Sequence, residues 1–154
     1  GDRVFKPSFK IIEKLNTNIK KEHLLIRFYP RDFGKSEFRH FENRFPEIKK
    51  DTHQIKFDKL ISKTRIFLSP YLGTGYLETL AMNIPTVVFS SQNIIRDNAK
   101  NFYNILKDAK IFFDNEIDLS NHINNIWDDT LSWWNNEKVQ KSIKIFCNIL
   151  VNLY

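Results

Sequence analysis

Cysteine is almost missing from this chain. Cys147 is the single one in 154 residues, which excludes an intrachain disulfide and a multi-cysteine zinc site and agrees with a reducing compartment. Long apolar runs are missing too: none approaches the roughly 18 residues needed to cross a bilayer, and the first residues carry no apolar signal-peptide core. A cytoplasmic protein is therefore expected. Four histidines, His23, His40, His53 and His122, stand at no metal-ligand spacing with cysteine or a carboxylate, and they read as surface residues. The chain shows no nucleophile elbow, no P-loop lysine motif and no complete dinucleotide fingerprint. Neither a metal nor a cofactor is expected.

Apolar residues make up 42% of the chain and aromatics 14%, enough for one domain of this length to bury a core. The net charge of +6 is unevenly spread. Residues 1–77 hold 17 Lys and Arg against 9 Asp and Glu, whereas residues 78–154 hold 7 against 9. The first half thus stands at +8 and the second at −2. Such asymmetry points the basic half toward phosphates, a nucleic acid or an acidic surface, although a chain rich in Lys, Asn and Ile also carries lysine as a matter of composition.

Periodicity gives a regular alternation. Phe5, Phe9, Ile12, Leu15 and Ile19 recur at helical spacing, so residues 6–20 read as an amphipathic helix with Pro7 in its first turn. Strands are expected at 24–29, 47–51, 65–69, 86–89 and 110–113, separated by helices over 36–45, 57–63, 75–83 and 98–109. A helix over 118–127 follows. A last long one carries Val139, Ile143, Phe146, Leu150 and Leu153 on one stripe, and Trp127, Trp133 and Trp134 are expected to pin these C-terminal helices to the sheet. Alternating strands and helices imply right-handed crossovers and a parallel sheet covered on both faces. The expected architecture is an α/β, Rossmann-like sheet of about five parallel strands in order 2-1-3-4-5. The series opens with a helix, so a further strand upstream of Gly1 is an expectation of this pattern.

The stretch "YLGTGYLETLAMNIPTVVF", residues 71–89, spends two of the four glycines in one turn between a strand and a helix. Open parallel sheets bind ligands at such turns. Gly73 and Gly75 would let the backbone come close to a ligand and take positive φ where needed. Thr74 would cap the helix, and the first-turn N–H groups would favour an anion. Glu78, one turn in, suits the diol of a ribose. Tyr71 and Tyr76 flank the glycines, and each is either a stacking platform for a base or sugar or a packing residue. In "RFYPRDFG", Arg27 lies on the first strand and Arg31 in the loop after it, and both are candidates for phosphate. The alternative for Arg31 is a surface pair with Asp32, and for Arg27 a stem laid along the sheet edge.

This arrangement resembles the nucleotide-sugar-binding half of GT-B-type glycosyltransferases, in which a glycine-rich turn leads into a helix with a ribose-binding Glu and a Pro follows seven residues later. Glu78 and Pro85 keep that interval. The same segment, with "LLIRFYPRDFG" and "IWDDTLSWWNNEKVQ", also resembles a family of transferases associated with O-antigen and other surface-polysaccharide gene clusters. The chain departs from the GT-B pattern at Asn83, where many members have Gly, and at Gly75, where some have Thr.

The resemblance implies a single donor-binding domain over residues 1–154, forming the C-terminal half of a two-domain enzyme. Its site would comprise Arg27, Arg31, Tyr71, Gly73, Thr74, Gly75 and Glu78. Its partners would be a nucleotide-sugar donor and an N-terminal acceptor domain. Peripheral membrane association of the full-length protein and a homodimer through the last helix are compatible with it. Two alternatives remain at this level: a sugar-nucleotide epimerase on the same scaffold, and a non-catalytic nucleotide- or nucleic-acid-binding module. No nucleic-acid-binding signature is present, and no nucleic-acid partner is expected.

Overall fold

A computed structural model describes residues 2–28, 35–91 and 100–153. Eight α-helices and five short strands alternate through them: α1 (Asp2–Lys14), β1 (Leu25–Ile26), α2 (Lys35–Arg44), β2 (Lys49–Lys50), α3 (Phe57–Ile61), β3 (Phe67–Ser69), α4 (Gly75–Ala81), β4 (Thr86–Phe89), α5 (Lys100–Asp108), β5 (Phe112–Phe113), α6 (Glu116–Ile126), α7 (Thr130–Trp134) and α8 (Glu137–Leu153). The α/β class and the parallel pairing agree with the expectation. The single five-stranded sheet does not form. β1 pairs with β2, and β3, β4 and β5 form a separate three-stranded sheet. Every expected neighbour pair is present except β1 with β3.

β4 shows why the three-stranded sheet is the interior of the molecule. All four of its residues are buried, because alternate side chains point to opposite faces and both faces are covered. Val88 packs with Leu106, Ile111, Trp134, Ile143 and Phe146 on one face. Val87 and Phe89 pack with Ile11, Leu15, Ile19, Leu119 and Ile123 on the other. A third cluster lies under β1 and β2, where Phe41, Phe45, Ile12 and Ile48 meet Phe9 and Phe28.

The first helix is shorter at its C-terminal end than its periodicity predicts, and tertiary contacts supply the reason. Asn124 of α6 donates from Nδ2 to the Lys14 carbonyl at 2.9 Å, and its Oδ1 accepts from the Asn16 N–H at 2.9 Å. One turn earlier, the Ser120 hydroxyl donates to the Ile11 carbonyl at 2.8 Å. These side chains satisfy groups that an unbroken helix would pair internally. The chain then continues through a π-helical turn, Ile19–His23, into β1.

The tryptophans act as pins, as expected. Trp134 is buried, and its Nε1 donates to both the carbonyl and the Oδ1 of Asn83 at 3.1 Å. Trp133 Nε1 donates to the Ala109 carbonyl at 3.0 Å. Asn83 has φ 56°, the left-handed conformation that ends many helices on glycine and that asparagine tolerates. Here asparagine stands where glycine would serve, and it contributes an acceptor for the indole. On α8, Phe146 is buried within the chain's own core, whereas the side chains of Leu150 and Leu153 lie outside the described residues.

Candidate functional site

A cavity of about 740 Å³ lies between β1 and β3 and reaches the turn that follows β3 at its C-terminal end. Six of the seven residues picked out in the sequence line it: Arg27, Tyr71, Gly73, Thr74, Gly75 and Glu78. The seventh, Arg31, lies outside the described residues.

α4 positions Glu78. Its orientation is fixed from below by a buried hydroxyl pair, in which Thr86 Oγ1 donates to Thr79 Oγ1 at 2.8 Å while Thr79 Oγ1 donates to the Tyr76 carbonyl at 3.1 Å. Glu78 sits in the first turn, exposed. Its amide donates to the Thr74 carbonyl at 3.3 Å. Thr74 occupies the cap position, but its side chain makes no capping bond, and it is exposed and lines the cavity.

The structure gives the two glycines a steric reason, and the positive φ open to them is not used. No described glycine has positive φ. A Cβ at Gly73 would stand 2.7 Å from the Tyr71 ring, and one at Gly75 would stand 3.2 Å from the ring of Phe67. The turn is glycine-rich because two aromatic rings fold over it. Tyr71 is half-buried across Gly73, and Tyr76 is buried in the core with its hydroxyl 3.4 Å from that of Tyr103. Of the two flanking tyrosines, Tyr71 is at the cavity and Tyr76 is a packing residue.

Arg27 reaches the cavity wall already engaged. Its Nη1 donates to Asp51 Oδ2 at 2.7 Å and to the Ile55 carbonyl at 3.2 Å, and both members of the ion pair are largely buried. The parallel register explains the partner. Ile26 faces Lys50, so the next residues along the two strands, Arg27 and Asp51, meet. Sequence reading considered Asp32 beside Arg31 and did not find Asp51, because that contact needs the β1–β2 register. His53 follows in the same loop with φ 63°, and its Nε2 lies 2.7 Å from the Phe28 carbonyl.

Away from the cavity, His122 is buried between Phe113 and Trp133, with ring centroids 5.3 Å and 4.7 Å away. Its Nε2 has no hydrogen-bond partner among the described residues. Burial, and secondarily the charge of Lys110, lowers its pKa to about 4. The surface reading of this histidine is thereby corrected. A short polar helix segment gives no sign that α6 turns this face inward.

No cluster of metal-binding side chains occurs among the described residues, and no described helix is long and apolar enough to cross a membrane. The cavity thus has an exposed carboxylate, a tied guanidinium, an aromatic ring and a close backbone turn among its lining, while most of its wall is apolar and comes from α1, β1, α3 and β3. Residues 3–151 match the family model described as LIC12162 family transferase, and the chain belongs to that family of transferases. No curated protein and no solved structure matches it.

Proposed function

We propose that this member of the LIC12162 transferase family is the donor-binding half of a GT-B-like glycosyltransferase, using a nucleotide-activated sugar in surface-polysaccharide synthesis. The observation that carries the reading is the convergence of Glu78, the Gly73–Gly75 turn, Tyr71 and Arg27 on one cavity at the strand ends. Parallel sheets present their ligand sites there. Glu78 accepts the ribose hydroxyls, since its carboxylate is exposed at the mouth. Tyr71 supplies a ring for the base or sugar.

Arg31 neutralises the donor diphosphate and stabilises it as it departs. Arg27, held by Asp51, shapes the wall. The acceptor and the general base come from a second domain on the N-terminal side, so the chain by itself binds the donor without turnover.

Calorimetry with a panel of nucleosides and nucleoside diphosphates tests this. Glu78→Ala is expected to weaken both ligand classes by about 1.5–3 kcal/mol, the scale of charge-assisted hydrogen bonds. Arg31→Ala is expected to weaken the diphosphates far more than the nucleosides. Equal losses for both ligands with both variants, or no binding by the unmutated chain or by the full-length protein, would overturn the assignment.

A further inference from the structure

We infer that the cavity between β1 and β3 is, in its interior, the position of a sixth parallel strand, and that the segment entering α1 from its N-terminal side fills it. The inference is independent of the ligand proposed above, which concerns only the mouth of the same space.

Both walls are open strand edges. Among the described residues, β1 has a hydrogen-bonded neighbour only in β2, and β3 only in β4. The Ile26 carbonyl accepts from the Asp51 N–H at 2.8 Å, and the Phe67 N–H donates to the Pro85 carbonyl at 2.8 Å. Successive residues of a strand direct their backbone groups to opposite sides. Leu25 on one wall and Ile66 and Leu68 on the other therefore direct theirs away from those neighbours, into the cavity they line. Backbone donors and acceptors in such a place ordinarily find partners.

The two walls also run in the same direction. His23, just ahead of β1, lies 5.1 Å from the Trp127 ring, and the Arg65 guanidinium, just ahead of β3, lies 4.4 Å from the same ring. Both strands thus start beside Trp127. Helices cover the two faces of the gap. Leu68 packs with Ile11, Leu15 and Ile19, and its neighbour Phe67, pointing the other way, meets Phe57 of α3 at 5.7 Å. The cavity, about 740 Å³ in volume, runs along residues 24–28 on one wall and 65–69 on the other, so it has room for a short extended segment.

Topology selects the occupant. α1 lines the cavity and is followed, through the π-helical turn, by β1. A strand placed in the gap and followed by α1 and β1 repeats the unit seen in β1–α2–β2, β3–α4–β4 and β4–α5–β5, with parallel strands adjacent and a helical crossover between them. The completed sheet would have the order 2-1-0-3-4-5, where 0 marks the added strand, and the missing β1–β3 ladder is then accounted for.

Amide hydrogen exchange read by NMR tests this, comparing residues 1–154 with the longer chain that begins with the residues its own reading frame encodes before Gly1. The amides of Leu25, Ile66 and Leu68 are expected to exchange on the order of 100-fold more slowly in the longer chain, with cross-strand contacts from the added segment to both walls. If the longer chain is poorly behaved, a synthetic peptide of about eight residues from that segment, added to residues 1–154, should give the same protection. The inference fails if these amides are unchanged in both formats, if the added segment docks elsewhere, or if the frame supplies no extended apolar segment. It also fails if a nucleoside diphosphate alone protects all three amides, which would make the whole cavity a ligand chamber.

Discussion

The two sheets are built from different materials. Around β3, β4 and β5 the core is mainly aliphatic and closed, with Val87, Val88, Leu106 and Ile111 all inaccessible to solvent. Around β1 and β2 it is aromatic and half-open. Phe9, Phe28, Phe38, Phe41 and Phe45 stack edge-on or tilted at 4.9–5.6 Å, and both residues of β2 are lysines.

Charge follows the same division. Several cations of the basic half are neutralised within it: Arg27 by Asp51, Arg44 by Glu13 and Lys50 by Glu42. These pairs cancel charge for charge within the first 77 residues, so the excess of +8 is carried by cations outside them. The lesson is that sequence charge gives the sum, whereas the usable field depends on which cations the fold leaves unmatched.

The comparison can be broken most sharply at Trp134. It is 1% exposed and joins α7 to the turn before β4, so Trp134→Ala should cost about 3–5 kcal/mol in urea denaturation. Amides of Val87 and Val88 should exchange only through the global opening, and those of β1 and β2 through a smaller one. A variant that loses β1–β2 protection while leaving β4 unchanged would contradict the assignment of Trp134 to the closed half.

His122 gives the next effect. Its pKa is lowered to about 4 in the fold against 6.5 when unfolded, so between these values the unfolded chain takes up a proton that the folded chain refuses. Stability is then full above pH 6.5 and falls as the pH drops toward 4. About 2 kcal/mol should be gone by pH 5. Chemical denaturation at pH 7.5 and pH 5 should show this loss, and His122→Leu should largely remove it. An equal acid loss in the variant would assign it to other groups.

The ion pairs of the half-open region sharpen the comparison at smaller scale. Arg27 and Asp51 are 18% and 8% exposed as side chains, whereas Arg44 and Glu13 are 56% and 38%. Double-mutant cycles should give about 1–2 kcal/mol for the first pair and about 0.2–1 kcal/mol for the second. Raising the salt concentration should erode the second and leave most of the first. Equal couplings would mean that burial does not separate them.

What could be read from the sequence follows from local rules. The alternation of strand and helix, the parallel pairing of neighbours 2-1 and 3-4-5, the limits of β4 and the pinning tryptophans all depend on periodicity, capping and crossover rules that act over a few residues or a few elements. The grouping of Tyr71, Gly73, Thr74, Gly75 and Glu78 is of this kind, since one strand-turn-helix unit carries them all. Arg27 joined the same cavity because both strands end at one edge.

Tertiary structure alone decided the rest. The break of α1 after Lys14 depends on Asn124, more than a hundred residues away in sequence. The glycines answer to the Tyr71 and Phe67 rings, not to backbone dihedrals. Asp51 reaches Arg27 only through the β1–β2 register, and His122 turns inward because α6 packs against both β5 and α7. The separation of β1 from β3 has the same origin. Sequence specifies which segments are strands, but an edge closes only when another strand is present to accept its hydrogen bonds, and that depends on what stands beside it in space.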